Sequence, residues 1–189
     1  MALGVNALTT WERAKACLSF SDDQKDAVEF LIDAVSSTAN RISSRKLKAR
    51  AYDLQLDGRG SDKLIMPEFP IASITSIFID STRAFTEDSA LDSSEYRILS
   101  NEGIIQLYSE TFPEGIGNIK VVGSLGYTTV PEDLELAVIE CVGYNRRRLE
   151  SGTTGMRQVS ADGSVTSQYE LGLPLSVREV FESYRDIRI

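Results

Sequence analysis

The segment from residue 131 to 149 constrains the fold most, because it predicts a long helix with apolar residues on two sides. Pro131 suits a first helical turn, where its missing N–H would have no partner anyway. One broad stripe at helical spacing comprises Leu134, Ala137, Val138, Cys141, Val142 and Leu149. A second stripe contains Leu136 and Ile139, with Gly143 beside them. Such a helix is either buried within its own domain or shared with another subunit, and the pattern leaves both open.

Two further helices are predicted before this segment, over residues 9–18 and 21–44. Thr9 and Glu12 have the spacing of a capping box, and Ser21 and Gln24 repeat it. In the second helix the apolar residues recur at intervals of three and four, which is typical of a helix that covers a core. These residues are Ala27, Val28, Leu31, Ile32, Val35, Ala39 and Ile42.

The region from residue 51 to 123 changes to the alternating period of strands. Tyr52, Leu54 and Leu56 alternate, and further short apolar runs follow at 64–66, 71–79, 96–99, 103–107 and 118–122. The turn at 57–62 (DGRGSD) lacks the lysine of a phosphate-binding loop and the closing glutamate of a calcium-binding loop. We therefore interpret it as a hairpin turn. The strands predict a small antiparallel β-hairpin subdomain inserted between the helices.

The end of the chain combines a polar segment with a short one-sided helix. Residues 151–173 are rich in glycine, serine and threonine, which predicts a flexible arm. Pro174 then opens a helix whose apolar face must be buried on the domain or on another chain. The predicted fold is α+β: a helical bundle of two N-terminal helices, one long helix and one C-terminal helix, with the β subdomain inserted. Residues 1–150 form one domain, and 151–189 form the arm and its helix.

Composition excludes several kinds of active site. The chain has no histidine, which removes Ser-His-Asp and Cys-His catalysis and the usual zinc sites. Cys17 and Cys141 are both predicted to be small buried residues on helices, although a bridge between them stays open. Carboxylates are plentiful, but no pair is distinguished by its spacing. We therefore predict no enzyme activity, no cofactor and no metal.

Charge limits the partners. The formal net charge is −8, which argues against a protein whose main role is to grip nucleic acid through phosphates. Basic residues cluster at Arg41–Arg50 and again at Arg146–Arg148. Such a cluster is most often solvated, and the alternative is a contact with an acidic partner or with DNA. No apolar run is long enough to cross a bilayer, so no membrane partner is expected.

Several segments, in order along the chain, resemble one family. The strand at 118–122 leads through Gly126-Tyr127 into Val130-Pro131-Glu132-Asp133-Leu134, which opens the long helix. Earlier segments with the same resemblance are LIMPEFPI (64–71) followed by SITSI (73–77), GIIQL (103–107) and FPEG (112–115). Together they resemble the head–tail connector adaptors of tailed bacteriophages, also called head completion or neck proteins.

The resemblance implies a structural virion protein at the neck, assembled in the host cytoplasm. It implies an adaptor subunit of a ring of about twelve copies under the portal protein, with heterologous contacts between neighbours. The ring extends a channel through which DNA passes without specific binding, and it joins the head to the next neck or tail-completion protein. We expect the free chain to be mainly monomeric.

Two sets of site residues follow as hypotheses. The C-terminal region reaches toward the portal in the resembling family, so the expected docking residues are Val177, Val180, Phe181, Tyr184 and Arg185. The expected subunit interface comprises Leu136, Ile139, Arg146 and Arg147. The alternatives are a small soluble DNA- or protein-binding module and a carboxylate-dependent hydrolase. Salt-dependent DNA binding would indicate the first. Two close carboxyl groups with divergent pKa values in an apolar pocket would indicate the second.

Overall fold

A computed structural model describes residues 2–151, 158–161, 164–168 and 173–186, and the chain divides into two compact units. The helical unit comprises Met1–Arg45 and Val130–Ile189, and the β unit comprises Lys46–Thr129. The helices are α1 (Trp11–Leu18), α2 (Lys25–Ser43), α3 (Glu132–Glu150) and α4 (Leu175–Ser183). The strands are β1 (Arg50–Gly58), β2 (Lys63–Ile65), β3 (Ile71–Ile79), β4 (Tyr96–Leu99), β5 (Ile104–Leu107), β6 (Gly115–Leu125), β7 (Gln158–Ala161) and β8 (Ser164–Gln168). The predicted α+β class, with helices and antiparallel strands, is confirmed.

Local capping explains where the first helices begin. The Thr10 hydroxyl accepts a hydrogen bond from the Arg13 N–H at 3.3 Å, so Thr10 caps α1. The predicted cap, Thr9, instead donates its hydroxyl to Glu135 on α3 at 2.8 Å. A short 3₁₀ turn, Asp22–Gln24, precedes α2, and the Gln24 side chain accepts from the Ser21 N–H at 3.2 Å.

Helix α3 lies at the centre of the helical unit and contacts α1, α2 and α4. The second stripe is covered only in part by the same chain: Ile139 and Gly143 are buried, whereas Leu136 is 52% exposed. The Leu18 methyl groups lie 3.1 Å from where a Cβ on Gly143 would be, so glycine permits the close approach. Ile139 is only 3% exposed. Leu149 differs from the prediction: it lies in the last turn of α3 and is exposed.

The β unit contains two antiparallel three-stranded sheets with orders β1-β6-β3 and β2-β5-β4. Both sheets contribute to one hydrophobic cluster, which includes Ile77, Ile119 and Val121 from the first and Leu64 and Ile105 from the second. Because one face of each sheet covers this shared cluster, the alternation seen in the sequence follows from burial. The observed β4 has the predicted bounds, and β5 begins one residue later than predicted.

A buried asparagine anchors the end of the first sheet. The Gly58 N–H donates to Asn118 Oδ1 at 2.9 Å, and Asn118 Nδ2 donates to the Pro113 carbonyl at 2.9 Å. A Cβ on Gly58 would lie 1.8 Å from that carbonyl oxygen, so only glycine fits here. The hairpin interpretation of residues 57–62 is wrong: this turn joins β1, which pairs with β6, to β2, which pairs with β5 in the other sheet. Glycine and aspartate indicate a turn, but they do not show which strands pair.

The C-terminal region contains strands that the sequence patterns did not predict. The described parts of residues 151–173 include β7 and β8, which pair antiparallel. The rest of that segment lies outside the described residues. Helix α4 packs against α2 and α3, so it is part of the helical unit rather than of a separate arm. Neither contact is evident from local sequence patterns, because both depend on distant parts of the chain.

Candidate docking groove on the helical unit

Helix α4 is fixed to the helical unit by its apolar face and by two polar contacts. Val177 is 1% exposed and Phe181 is fully buried. The Tyr184 hydroxyl donates to Asp133 Oδ1 at 2.7 Å, and the Asp186 N–H donates to the Ser43 carbonyl at 3.2 Å. The apolar face predicted for docking is therefore covered by the same chain.

Two of the five predicted docking residues are buried in this conformation. Val177 and Phe181 are core residues of the helical unit and present no surface to a partner in this conformation. Val180 and Tyr184 are half-buried and Arg185 is exposed, so these three retain accessible surface. Leu175, at the start of the same helix, is 61% exposed. Docking through α4 would thus use its outer side rather than its apolar face.

The outer side of α4 borders a groove of about 480 Å³, which we call the arginine groove. Its walls come from the C-terminal end of α2 with the residue that follows it, and from α4 with residues on both sides of that helix. The lining residues are Arg41, Ile42, Ser44, Leu173, Arg178, Glu182 and Arg185. The volume is in the range of sites that hold a small ligand or a few side chains.

The arginine groove is positively charged in a chain that is acidic overall. Arg178 Nε donates to Glu182 Oε1 at 2.8 Å, an exposed pair one helical turn apart. Arg41 and Arg185 have no carboxylate within ion-pair distance among the described residues. Three arginines and one glutamate leave two net positive charges. Such exposed guanidinium groups suit carboxylate or phosphate groups.

The sequence patterns indicated single residues of this groove but not that they lie together. Arg41 begins the basic cluster 41–50, and Arg185 is one of the expected docking residues. Only the packing of α4 against α2 brings them together. The rest of the cluster is not one basic surface, because Arg45 is 4% exposed and the Arg50 guanidinium lies over the Tyr52 ring, 5.2 Å from its centroid.

The predicted subunit-interface residues on α3 are distributed over different environments. Leu136 is 52% exposed and Arg147 is exposed, although Arg147 Nε donates back to the Gly143 carbonyl at 3.3 Å. Arg146 is half-buried and pairs with Glu150 at 2.9 Å. Ile139 is 3% exposed and is covered by its own chain in this conformation.

The thiols and carboxylates do not form a reactive cluster in the described part of the chain. Cys141 is buried, and desolvation raises the pKa of its thiol to about 11, so it is protonated at neutral pH. Cys17 is exposed, contrary to the prediction, and both cysteines are free. Across the described ranges, no group of three or more His, Cys, Asp or Glu residues is placed to hold a metal ion. Nor does any helix in those ranges have the length and apolar character that crossing a membrane requires.

A helical unit with a charged groove and exposed apolar positions, built around a closed core, is typical of a protein that binds other proteins. Comparison with protein families gives the assignment: the model of the head completion protein family matches residues 7–187. The chain therefore belongs to the head completion protein family. This match confirms the resemblance to head completion proteins seen in the sequence.

Solved structures with the same fold come from gene transfer agent particles. The chain is similar to a subunit described as "Neck of empty GTA particle computed with C6 symmetry", with a TM-score of 0.64 and 17% identity. A second is "Neck of native GTA particle computed with C12 symmetry", with a TM-score of 0.61 and 18% identity. Each alignment covers 100% of this chain and 94% of the other. Comparison with curated protein sequences gives no significant match.

Proposed function

We propose that this chain is an adaptor subunit of a ring that lies beneath the portal, extends the DNA channel and joins head to tail. The observation that carries the proposal is the family match over residues 7–187. The fold supports it, because the likeness to neck subunits of symmetric particles spans the whole chain. Its partners are the portal protein, neighbouring copies of itself, and the next neck or tail-completion protein. DNA passes through without specific binding.

The proposed ring uses different faces of the helical unit for different partners. Neighbouring copies in a closed ring meet through heterologous surfaces, so each subunit needs two unlike faces. The exposed positions Leu136 and Arg147 on α3 supply one of them. The portal contacts the outer side of α4, through Val180, Tyr184 and Arg185. We propose about twelve copies in the ring, closed only on the portal, with the free chain mainly monomeric.

The role is structural rather than catalytic. The family to which the chain belongs is defined by head completion, and the buried, protonated Cys141 offers no activated nucleophile. A carboxylate-dependent hydrolase would need two close carboxyl groups in an apolar pocket, with their pKa values driven apart. The arginine groove contains a single carboxylate, Glu182, which pairs with Arg178. We therefore propose that the chain acts through binding alone.

Electron microscopy of lysates from phage with this gene disrupted tests the function. Filled or leaking heads without tails, beside separate complete tails, are expected if the chain joins head to tail. Restoring the gene in trans is the control and must restore joined particles. Normal virions without the gene would exclude a required role at the neck. Empty, unpackaged shells would place the role earlier, at the portal or in packaging.

A further inference from the structure

We propose that the arginine groove recognises an acidic peptide segment, carrying at least one apolar side chain, of the protein on which the ring docks. The inference rests on the proposed function for the identity of that partner. The inference extends the proposed function by naming the chemistry of the docking contact. The groove, rather than the apolar face of α4, then provides the specificity of docking.

Charge is the first reason. Arg41 and Arg185 are exposed at the groove and have no ion-pair partner among the residues that the structure describes, whereas Arg178 is paired with Glu182. A guanidinium group presents a planar fork of donors that matches a carboxylate with two hydrogen bonds. Two such groups, one on α2 and one just after α4, would hold two carboxylates of one extended segment.

The lining of the groove favours a peptide over nucleic acid. Ile42 and Leu173 supply apolar surface between the charged groups. An apolar side chain can be buried there, whereas a sugar-phosphate backbone has none to bury. The net charge of −8 opposes the approach of a polyanion as large as DNA.

Selectivity also follows from the acidic surroundings. An acidic segment is repelled by most of an acidic surface, so a local positive groove fixes where and in which register it binds. The groove is held in place by the contacts of α4 already described: the buried Phe181, the Tyr184–Asp133 hydrogen bond and the hydrogen bond from Asp186 to Ser43. The backbone of both walls is thus ordered before binding, which reduces the entropic cost of association.

Fluorescence anisotropy with the full chain and a labelled peptide of alternating glutamate and leucine tests the chemistry. We expect saturable binding that weakens as salt is raised. Arg41→Glu and Arg185→Glu should each weaken binding by about tenfold or more, because a favourable charge becomes a repulsive one. Arg59→Glu, an exposed site in the β unit, makes the same change in charge and should bind like the wild type. Circular dichroism melts must show that all three variants are folded.

Peptide variants and DNA separate the contributions. Replacing glutamate by glutamine should abolish binding, and replacing leucine by serine should weaken it. The proposal would be overturned if the glutamine peptide bound as tightly as the glutamate peptide. It would also be overturned if the two groove variants bound the peptide as tightly as the wild type. A labelled DNA duplex that binds more tightly than the peptide, with the same dependence on Arg41 and Arg185, would assign the groove to nucleic acid instead.

Complementation of the disrupted gene distinguishes the two proposals. Loss of joined particles with Arg41→Glu and Arg185→Glu, but not with Arg59→Glu, supports the groove as the docking contact. Normal particles with groove variants that have lost peptide binding would overturn the choice of partner. The neck function would stand in that case, because it is tested by the gene disruption itself.

Discussion

The two units of the molecule separate their cores from their surfaces in different ways. In the helical unit, buried and exposed side chains alternate along the same helices: on α3 Val138 is fully buried and Leu136 is 52% exposed. The buried Phe181 of α4 lies four residues before the exposed Arg185, which follows the helix. In the β unit the cluster between the sheets is distinct from the polar loops that leave them. Candidate binding surfaces in the helical unit are therefore attached directly to its core.

The loops of the β unit are ordered by hydrogen bonds rather than by apolar packing. The loop after β3 is held by Asp80, whose carboxylate accepts hydrogen bonds from Thr82, Ala84 and Phe85 at 2.7–3.0 Å. These bonds accompany a backbone in which Arg83 and Phe85 have φ angles of 64° and 48°. The polar segment after β3 is thus a loop whose backbone is held by side-chain hydrogen bonds. Apolar packing should dominate mutational effects in the helical unit, and side-chain-to-backbone hydrogen bonds should dominate in the loops.

The largest effect is expected from Val138→Asp in the centre of α3. Val138 is fully buried, and a carboxylate placed there has no partner, so the helical unit should fail to fold. Leu136→Asp, two residues away on an exposed part of the same helix, should remain folded. Thermal unfolding followed by circular dichroism compares them. A cooperative melt of Val138→Asp near the wild-type temperature would show that this stripe is not core.

Phe181→Ala should have the next largest effect. Removing a fully buried phenylalanine costs about 3–5 kcal/mol of unfolding free energy, because the core loses contacts and gains a cavity. Leu175→Ala, at the exposed start of α4, is the matched control and should change stability little. Urea denaturation gives both values. If Phe181→Ala proved as stable as the wild type, α4 would be free to detach, and its apolar face would again be a candidate docking surface.

In the β unit, replacing a buried polar residue should lower the free energy of unfolding, by less than Phe181→Ala does. Asn118→Ala leaves the buried Gly58 N–H without its acceptor and the partly buried Pro113 carbonyl without its donor, which costs about 1–3 kcal/mol. Asn101→Ala, at an exposed turn, is the control for the amide. Hydrogen exchange of the Gly58 amide reports the site directly. Unchanged protection of that amide in Asn118→Ala would contradict the anchoring role.

Sequence patterns predicted the strands better than the partners of the helices. The short apolar run at 96–99 predicted β4 with its observed bounds, because the extent of a short strand is marked by its own residues and the turns beside it. The second stripe of α3 was ambiguous because periodicity shows that a face is apolar, not what covers it. The covering residue, Leu18, is far away in the chain. The arginine groove was hidden for the same reason, because Arg41 and Arg185 approach one site only when α4 packs on α2.

Asp80→Asn should produce the smallest effect, and one that depends on pH. Hydrogen bonds from the Thr82 hydroxyl and N–H, and from the Phe85 and Ala84 N–H groups, lower the pKa of Asp80 below its ordinary value. Its contribution is therefore present above the ordinary carboxylate pKa of about 3.9 and is lost as pH falls through the lowered folded value. The variant should melt slightly below the wild type near neutral pH.

The difference should shrink in acid, because the wild-type carboxylate becomes protonated there and loses its advantage over the amide. Melting temperatures near neutral pH and at about pH 2 measure it. Asp88→Asn, an exposed position in the same loop, is the control and should track the wild type at both values. An Asp80→Asn deficit that stays constant across this range would mean that the loop depends on the shape of the side chain rather than on its charge. The β unit would then resemble the helical unit in relying on packing.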